Sequence, residues 1–202
     1  MYSTNYDLLV YWAVMHEAAG AGFKDYFWGG SDFHSFDPAS TEIWDDATLV
    51  YYLHGGVHLR ALMDGGTRKS VVGNENLLAG FETAFESDEV PLLVSEGRSR
   101  DKSNAIARSA YLSFAYREFA AHRGGLVVFG HGLGRSDEHL VRAINSWEPP
   151  QRQPVVALSL RQGDAGEVRQ EKLRLARRLR YADLVFYDAA THPLGQPRVR
   201  VQ

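Results

Sequence analysis

The chain has 202 residues, enough for one sizeable domain, and 45% of them are apolar, enough to build a core. Its formal charge of −3 gives no electrostatic case for nucleic acid as a partner. The absence of cysteine excludes disulfides and thiolate metal sites. No apolar run approaches the roughly 20 residues of a membrane span, and the N-terminus lacks a signal-peptide pattern. We therefore expect a cytoplasmic protein with no membrane or nucleic-acid partner.

The first half of the sequence predicts a mixture of helices and strands. Residues 23–48 are rich in Gly, Asp, Ser and aromatic side chains, and we expect an ordered but irregular excursion there. The other predicted elements are, in chain order, a helix over 8–19 capped by Asp7, strands over 49–53 and 57–63, a hairpin turn over 64–66, a helix over 76–87, a strand over 91–94 and a long helix over 101–122.

The second half alternates strands and helices. Short apolar strands are predicted over 126–129, 155–160 and 184–187, and helices over 137–147 and 167–180. Short apolar strands that alternate with helices are typical of a parallel sheet covered on both faces. The predicted fold class is therefore α/β. In such sheets, nucleotides and phosphates bind where a strand ends and a helix begins.

Two short polar motifs of the first half are candidate functional segments. Thr4-Asn5-Tyr6-Asp7 directly precedes the first predicted helix, where Asn and Asp are also typical capping residues. His54-Gly55-Gly56 follows a strand, and its glycines allow a ligand or another backbone to approach closely. His54 suits acid–base chemistry near neutral pH, or it is a structural histidine held by backbone carbonyls. The sequence leaves both interpretations open.

A third motif, Gly130-His131-Gly132-Leu133, joins the strand over 126–129 to the next helix. Its glycines permit a tight turn, and the dipole of the following helix favours an anion. Asp137, at the start of that helix, is placed either to contact a ligand or to cap the helix. A single Gly-x-Gly is a weak signature, so an ordinary strand-to-helix turn fits this motif as well.

Taken in order, the motifs resemble those of the sirtuin-like NAD-binding superfamily. Thr4–Asp7 resembles its Thr-x-Asn-x-Asp motif at the nicotinamide ribose, and His54-Gly55 resembles the strand-end His-Gly that carries the catalytic base. Gly130–Leu133 resembles its Gly-Thr-Ser-Leu loop at the adenosine half of NAD, and residues 182–186 resemble its last strand, near the adenine. The chain is most similar to an uncharacterised bacterial branch, and the resemblance spans roughly residues 3–188.

The resemblance implies one sirtuin-like domain over 1–202, with a three-layer, mostly parallel Rossmann-like sheet. It also shows departures from the superfamily. The strand and Gly-rich phosphate loop that normally precede the Asn motif are missing, so we expect either an N-terminally truncated form or a protein in which the phosphate site is absent. The zinc-binding cysteines of deacylating members are absent, which argues against a zinc site and peptide deacylation. Residues 64–125 are expected to form a helical insertion instead.

The activity that the resemblance implies is cleavage of the nicotinamide–ribose bond of NAD. His54 would be the general base, Asn5 would hold the ribose or a water molecule, and Asp7 would stabilise positive charge on the ribose. NAD is then the substrate or ligand, no metal is expected, and a homo-oligomer or a partner chain is left open. The implied NAD-contacting residues are Thr4, Gly55, Gly130, His131, Gly132 and Asp137.

Two other functions compete with this one. A module that binds a nucleotide without turnover fits the missing phosphate loop. A metal-dependent phosphoesterase would draw on residues of ligand type, namely His54, His58, His131, Asp137 and His139, although no two have a recognised ligand spacing on one predicted element. The basic helix over 169–180 fits a solvated outer face, with nucleic-acid contact as the alternative.

Overall fold

This computed structural model describes residues 1–15, 22–29, 33–39, 46–70, 90–94, 97–147 and 154–195. These residues form a mixed α/β protein that divides into two compact units. The first unit comprises Met1–Gly97 and Asp101–Phe119, and the second comprises Arg98–Arg100 and Ala120–Gln202. Across the described ranges, no helix is both long and apolar enough to cross a membrane. The helix predicted over 76–87 lies outside the described residues.

The first unit combines short strands with helices. Its described strands are β1 (Tyr2–Ser3), β2 (Phe23–Lys24), β3 (Phe27–Trp28), β4 (Phe33–Phe36), β5 (Thr48–Leu49), β6 (Tyr51–Tyr52), β7 (Gly55–Ala61), β8 (Thr67–Ser70) and β9 (Val90–Leu93). The described helices are α1 (Leu9–Met15), α2 (Ser99–Arg108) and α3 (Ala110–Ala120), of which Ser99, Arg100 and Ala120 are assigned to the second unit. The first predicted helix is confirmed over its described part, and Asp7 Oδ1 accepts a hydrogen bond from the Leu9 N–H at 3.0 Å.

The largest sheet among the described residues belongs to the first unit, and it is antiparallel. Its strand order is β3-β4-β8-β7-β9, and each neighbouring pair runs in opposite directions. The short pairs β1–β6 and β2–β5 are parallel. The prediction of a mostly parallel sheet therefore needs correction for this unit. Alternating apolar residues predict a strand but not its partner, which is decided by long-range pairing.

The expected irregular excursion over 23–48 also needs correction. Its described part contains β2, β3, β4 and the start of β5. Phe27 lies opposite Phe36 in the β3–β4 pair and packs against Tyr111, with 4.8 Å between the ring centroids. Two-residue strands carry no periodic signal in the sequence, because their stability comes from the neighbours with which they pair and pack.

The hairpin predicted at residues 64–66 is confirmed. It joins β7 to β8, and the Gly65 N–H donates to the Leu62 carbonyl at 3.0 Å. Both β8 and β9 fall within residues 64–125, so this region supplies strands to the sheet as well as helices. The long helix predicted over 101–122 is two helices. Ser109 separates them, and its Oγ accepts a hydrogen bond from the Leu112 N–H at 3.2 Å, as a helix cap does.

The second unit has the alternating order that the sequence predicted. Its described elements are β10 (Leu126–Val128), α4 (Glu138–Asn145), β11 (Val155–Leu160), α5 (Ala165–Arg178) and β12 (Asp183–Asp188). The three strands lie in the order β10-β11-β12, and both pairings are parallel. Since parallel strands end on the same side, the residues that follow them collect at one edge of the sheet.

The two faces of this parallel sheet differ in burial. Alternate residues of β11, namely Val156, Leu158 and Leu160, are buried, as are the apolar face of α4 and Leu175 of α5. On the opposite face, Val127 of β10 and Val185 of β12 are 64% and 50% exposed. Both valines are paired with Ala157 in neighbouring strands. In the described part of this unit, one face of the sheet is therefore covered and the other is partly exposed.

Candidate functional site

An open cleft lies along the carboxyl ends of the parallel strands in the second unit. It has a volume of about 810 Å³. Open α/β sheets bind their ligands at this edge. Three predicted NAD-contacting residues, Gly130, His131 and Gly132, line the cleft. The remaining lining residues are Phe129, Ser159, Leu160, Arg161, Gln162, Gly163, Glu167, Val168, Glu171, Leu175 and Ala189.

The loop after β10 turns sharply at Gly130. Its φ of +69° lies in the left-handed region, which glycine adopts at no steric cost. The Gly130 N–H donates a hydrogen bond to Ser159 Oγ at 3.0 Å, which fixes the loop to the end of β11. At Gly132 an added Cβ would find no heavy atom within 4 Å. Gly130 is thus required by the backbone, whereas Gly132 leaves open space beside the cleft.

Leu133 is held in a strained conformation. Its φ is +45°, a region that costs a non-glycine residue roughly 1–2 kcal/mol, and its side chain is buried. The Leu133 N–H donates to His131 Nδ1 at 3.0 Å, and its carbonyl accepts from Arg174 Nη1 at 3.2 Å. A strained residue that is fixed from several sides is typical of a functional loop.

Two arginines of α5 hold this loop by its carbonyl groups. Arg174 donates to the carbonyls of Gly132 and Leu133, and Arg178 donates to that of Gly134 at 3.0 Å. Each arginine also binds a carboxylate, Arg174 that of Glu171 and Arg178 that of Glu138, at distances of 2.6–2.7 Å. The hydrogen bond from Arg174 lowers the pKa of Glu171. The basic helix is therefore more than a solvated face, since part of it positions the loop.

His131 takes part in the same arrangement. Because its Nδ1 accepts the Leu133 N–H, that nitrogen carries no proton in this geometry. Its Nε2 lies 3.8 Å from Asp137 Oδ2, and the same carboxylate oxygen accepts a hydrogen bond from Ser136 Oγ at 3.1 Å. The imidazole thus helps to hold the loop in shape beside the cleft.

A second cavity of about 470 Å³ lies between the ends of β11 and β12. It shares Val168 and residues 160–163 with the larger cleft and adds Lys172, Phe186, Tyr187 and Asp188. Asp188 is fixed by two hydrogen bonds, from Gln162 Nε2 at 2.7 Å and from the Ala190 N–H at 2.9 Å. These bonds lower the pKa of its carboxyl group, which favours the ionised form.

In the first unit, the two predicted motifs Thr4–Asp7 and His54-Gly55 lie side by side. The segment from Ser3 to Tyr6 runs along residues 53–57, because the Leu53 N–H donates to the Ser3 carbonyl at 2.8 Å and the Val57 N–H to the Tyr6 carbonyl at 3.0 Å. The rings of Tyr6 and His54 are stacked, with 6.5 Å between their centroids.

The predicted residues of the first unit differ in exposure. His54 is only 2% exposed, whereas Asn5 and Asp7 are exposed and Thr4 is half-buried. Gly55 has a φ of +75°, and a Cβ there would lie 1.9 Å from the Leu92 carbonyl oxygen. The backbone of β9 is thus the group that approaches this glycine closely.

A buried polar cluster surrounds His58 in the first unit. His58 is fully buried between the rings of Tyr11 and Tyr52, with centroid distances of 4.8 and 4.5 Å. Among the described residues, neither of its ring nitrogens has a hydrogen-bond partner. Burial lowers the pKa of His58 to about 3, and the charges of Lys69 and Arg60 add to this effect. His58 is therefore a neutral core histidine.

The histidines of the metal-site alternative fall in both units. His54 and His58 belong to the first, whereas His131 and His139 belong to the second. His139 is buried, and its backbone N–H donates to Ser99 Oγ at 3.0 Å. The phosphoesterase alternative stays a prediction from the sequence.

Several residues that line the cleft or the second cavity, or that hold the Gly130 loop, escaped the sequence-based prediction. Ser159 and Asp188 occupy strand ends, which is a usable signal once the strands are known. Arg174 and Arg178 are four residues apart and so share one helix face. Their targets are backbone carbonyls of a distant loop, which no sequence pattern reveals.

The second unit thus has a three-stranded parallel sheet with a cleft at its carboxyl edge. The sequence matches a family model described as a domain of unknown function (DUF4917) over residues 1–193, and the chain belongs to this family. The match runs through both units. A search among curated proteins finds no match to the chain.

Proposed function

We propose that this chain is a NAD-binding protein of sirtuin-like type, whose second unit binds the adenosine half of the dinucleotide. The observation that carries the proposal is the cleft at the ends of β10, β11 and β12, lined by Gly130, His131 and Gly132. Its volume of about 810 Å³ suits a nucleotide-sized ligand. A three-layer Rossmann-like arrangement and a cytoplasmic location belong to the same proposal.

The charges around the cleft indicate where phosphate groups would bind. The N-terminus of α5 is already capped, because Asp164 Oδ1 accepts the Gly166 N–H at 2.7 Å and Glu167 adds negative charge in the first turn. Arg161 lines both the cleft and the second cavity. A diphosphate is therefore expected beside Arg161, where the guanidinium group favours it.

The proposed activity is cleavage of the nicotinamide–ribose bond of NAD. It gives His54 the role of general base, Asn5 that of holding the ribose or water, and Asp7 that of stabilising positive charge on the ribose. The proximity of Thr4–Asp7 to His54 in the first unit supports this grouping. Asp7 uses one carboxylate oxygen to cap α1, and a carboxylate has further acceptor capacity.

A second candidate is a module that binds the nucleotide without turnover. The observation in its favour is the burial of the proposed base, because His54 is only 2% exposed and its ring stacks on that of Tyr6. A buried imidazole has little access to a substrate hydroxyl group or to water, whereas binding of the nucleotide requires no proton transfer.

Calorimetry with ADP-ribose and with NAD, coupled to an assay for released nicotinamide, tests both candidates. Binding together with nicotinamide release supports the hydrolase. Binding without release supports the non-catalytic module. If neither ligand binds to protein that is folded by circular dichroism, the nucleotide-binding proposal is wrong. Metal analysis of the same purified protein tests the phosphoesterase alternative.

A further inference from the structure

We infer that Asp188 makes the nucleotide site selective for a ribose with free 2′- and 3′-hydroxyl groups over a ribose that carries a 2′-phosphate. The inference rests on the proposed function, which places the adenosine half of the ligand in the second unit. It assigns a specificity-determining role to a residue that none of the sequence motifs contains.

The position of Asp188 brings it within reach of such a ligand. It is the last residue of β12, so it stands at the edge of the sheet where ligands bind. It lines the second cavity, which shares residues 160–163 with the larger cleft. A ligand that extends from the Gly130 loop across the end of β11 enters this cavity.

Two hydrogen bonds hold the carboxylate of Asp188 and favour its ionised form. Gln162 Nε2 donates to its Oδ2 and the Ala190 N–H donates to its Oδ1, so both oxygens are fixed in position. Each carboxylate oxygen has two acceptor directions, and each of these donors uses one. Each carboxylate oxygen of Asp188 therefore has one acceptor direction left, and together the two oxygens can accept hydrogen bonds from two ligand hydroxyl groups.

A ribose diol matches this arrangement. Its two neighbouring hydroxyl groups are spaced to donate a pair of hydrogen bonds to one carboxylate. In dinucleotide-binding sheets, an acidic residue accepts a hydrogen bond from the ribose 2′-hydroxyl group. A 2′-phosphate removes one of the two donors and brings negative charge against the fixed carboxylate. Both effects act against the phosphorylated ligand.

Two basic residues line the second cavity, Arg161 and Lys172, and neither is expected at the 2′-position of the ribose. Arg161 lies where the two cavities join, which is where the diphosphate of an extended ligand passes. The Lys172 ammonium lies over the ring of Phe186, 5.6 Å from its centroid. Asp188 is the acidic residue among those that line this cavity.

Calorimetry with ADP-ribose and with its adenosine 2′-phosphate analogue tests the inference. For the wild-type protein we expect ADP-ribose to bind at least about tenfold more tightly, because a lost hydrogen bond to a charged group and a charge repulsion act together. In Asp188→Asn the preference should fall below about threefold, since the amide retains an acceptor for the Ala190 N–H but loses the charge. The matched control is Asp183→Asn, an exposed position at the opposite end of β12, which should keep the wild-type preference.

The possible outcomes separate the inference from the proposed function. Equal binding of both ligands by the wild type, or tighter binding of the phosphorylated one, overturns the role of Asp188 while the nucleotide site stands. An unchanged preference in Asp188→Asn overturns it too. If folded wild-type protein binds neither ligand, the proposed function itself fails. A preference that is lost in Asp188→Asn and kept in Asp183→Asn supports the inference.

Discussion

His54 and His58 of the first unit differ in their surroundings from three polar residues of the second unit, His131, Arg161 and Asp188. In the first unit, His54 and His58 are 2% and 0% exposed and lie among aromatic rings. In the second unit, His131, Arg161 and Asp188 stand at the edge of a parallel sheet beside open cavities. The difference follows from strand direction. The carboxyl ends of parallel strands lie on one side of the sheet, which is where open α/β sheets bind ligands. In an antiparallel sheet, the carboxyl ends of neighbouring strands lie on opposite sides.

The proposed catalytic residues belong to the first unit, and the proposed adenosine site belongs to the second. Variants of each unit are therefore expected to change different measurements.

The largest effect is expected from His54→Ala. Loss of a general base lowers the rate by about 10²–10⁴-fold, and we expect this loss in nicotinamide release from NAD. The affinity for ADP-ribose, measured by calorimetry, should stay within about threefold of the wild type. Unchanged nicotinamide release would remove His54 from the mechanism, and a parallel loss of affinity would contradict the separation of the two functions.

Gly55→Ala should reduce the stability of the first unit. Its Cβ would meet the Leu92 carbonyl at 1.9 Å, and the φ of +75° disfavours any side chain. Together, the clash and the unfavourable φ should lower the free energy of unfolding, measured with urea, by about 3–4 kcal/mol.

Gly65→Ala is the matched control, because Gly65 also has a positive φ, +84°, but no heavy atom lies within 4 Å of its Cβ position. It should cost about 1 kcal/mol. Similar losses in both variants would show that the approach of β9 is not the cause.

The stability of the protein should fall with acid because of His58. Its pKa is about 3 in the folded state, against 6.5 for an ordinary histidine, so the unfolded state binds more protons between these values. The stabilisation is complete above pH 6.5 and declines as the pH falls toward 3. At pH 4.5 we expect this group to lower the free energy of unfolding by about 2.5 kcal/mol relative to pH 7.

The variant His58→Phe isolates this contribution. It keeps an aromatic ring of comparable size in the buried position and cannot be protonated. Denaturant titrations at several pH values should show a shallower pH dependence than in the wild type. An identical pH dependence would mean that His58 is not the group responsible.

The smallest effect is expected in the second unit, from Arg174→Ala. The variant removes the hydrogen bonds to the carbonyls of Gly132 and Leu133, so the loop is less ordered before a ligand binds. We expect about tenfold weaker binding of ADP-ribose by calorimetry, or about 1.4 kcal/mol. Arg177→Ala, on an exposed position of the same helix, should bind like the wild type. If both variants weaken ADP-ribose binding equally, the cause is the lost positive charge of the helix and not the lost hydrogen bonds to the loop.

Regular, strongly patterned segments were predictable from the sequence. The alternation of β10, α4, β11, α5 and β12 follows from local apolar periodicity, and the hairpin at residues 64–66 follows from turn residues. The strands within 23–48 were not, because strands of two to four residues acquire their stability from the neighbours with which they pair. The break at Ser109 was missed for a different reason. Its hydroxyl group competes with the helical backbone, and helix-compatible residues on both sides conceal the interruption.

By itself, the sequence determined that the chain combines helices and strands, that its second half forms a parallel sheet, and that Gly130–Leu133 lies at a strand end. The tertiary structure decided the rest. It assigned the three motifs to two units, brought Thr4–Asp7 next to His54, and placed Asp188 in a cavity. The reason is physical. Periodicity reflects the immediate neighbours of a residue along the chain, whereas strand pairing and loop fixation depend on contacts between residues that are far apart in sequence.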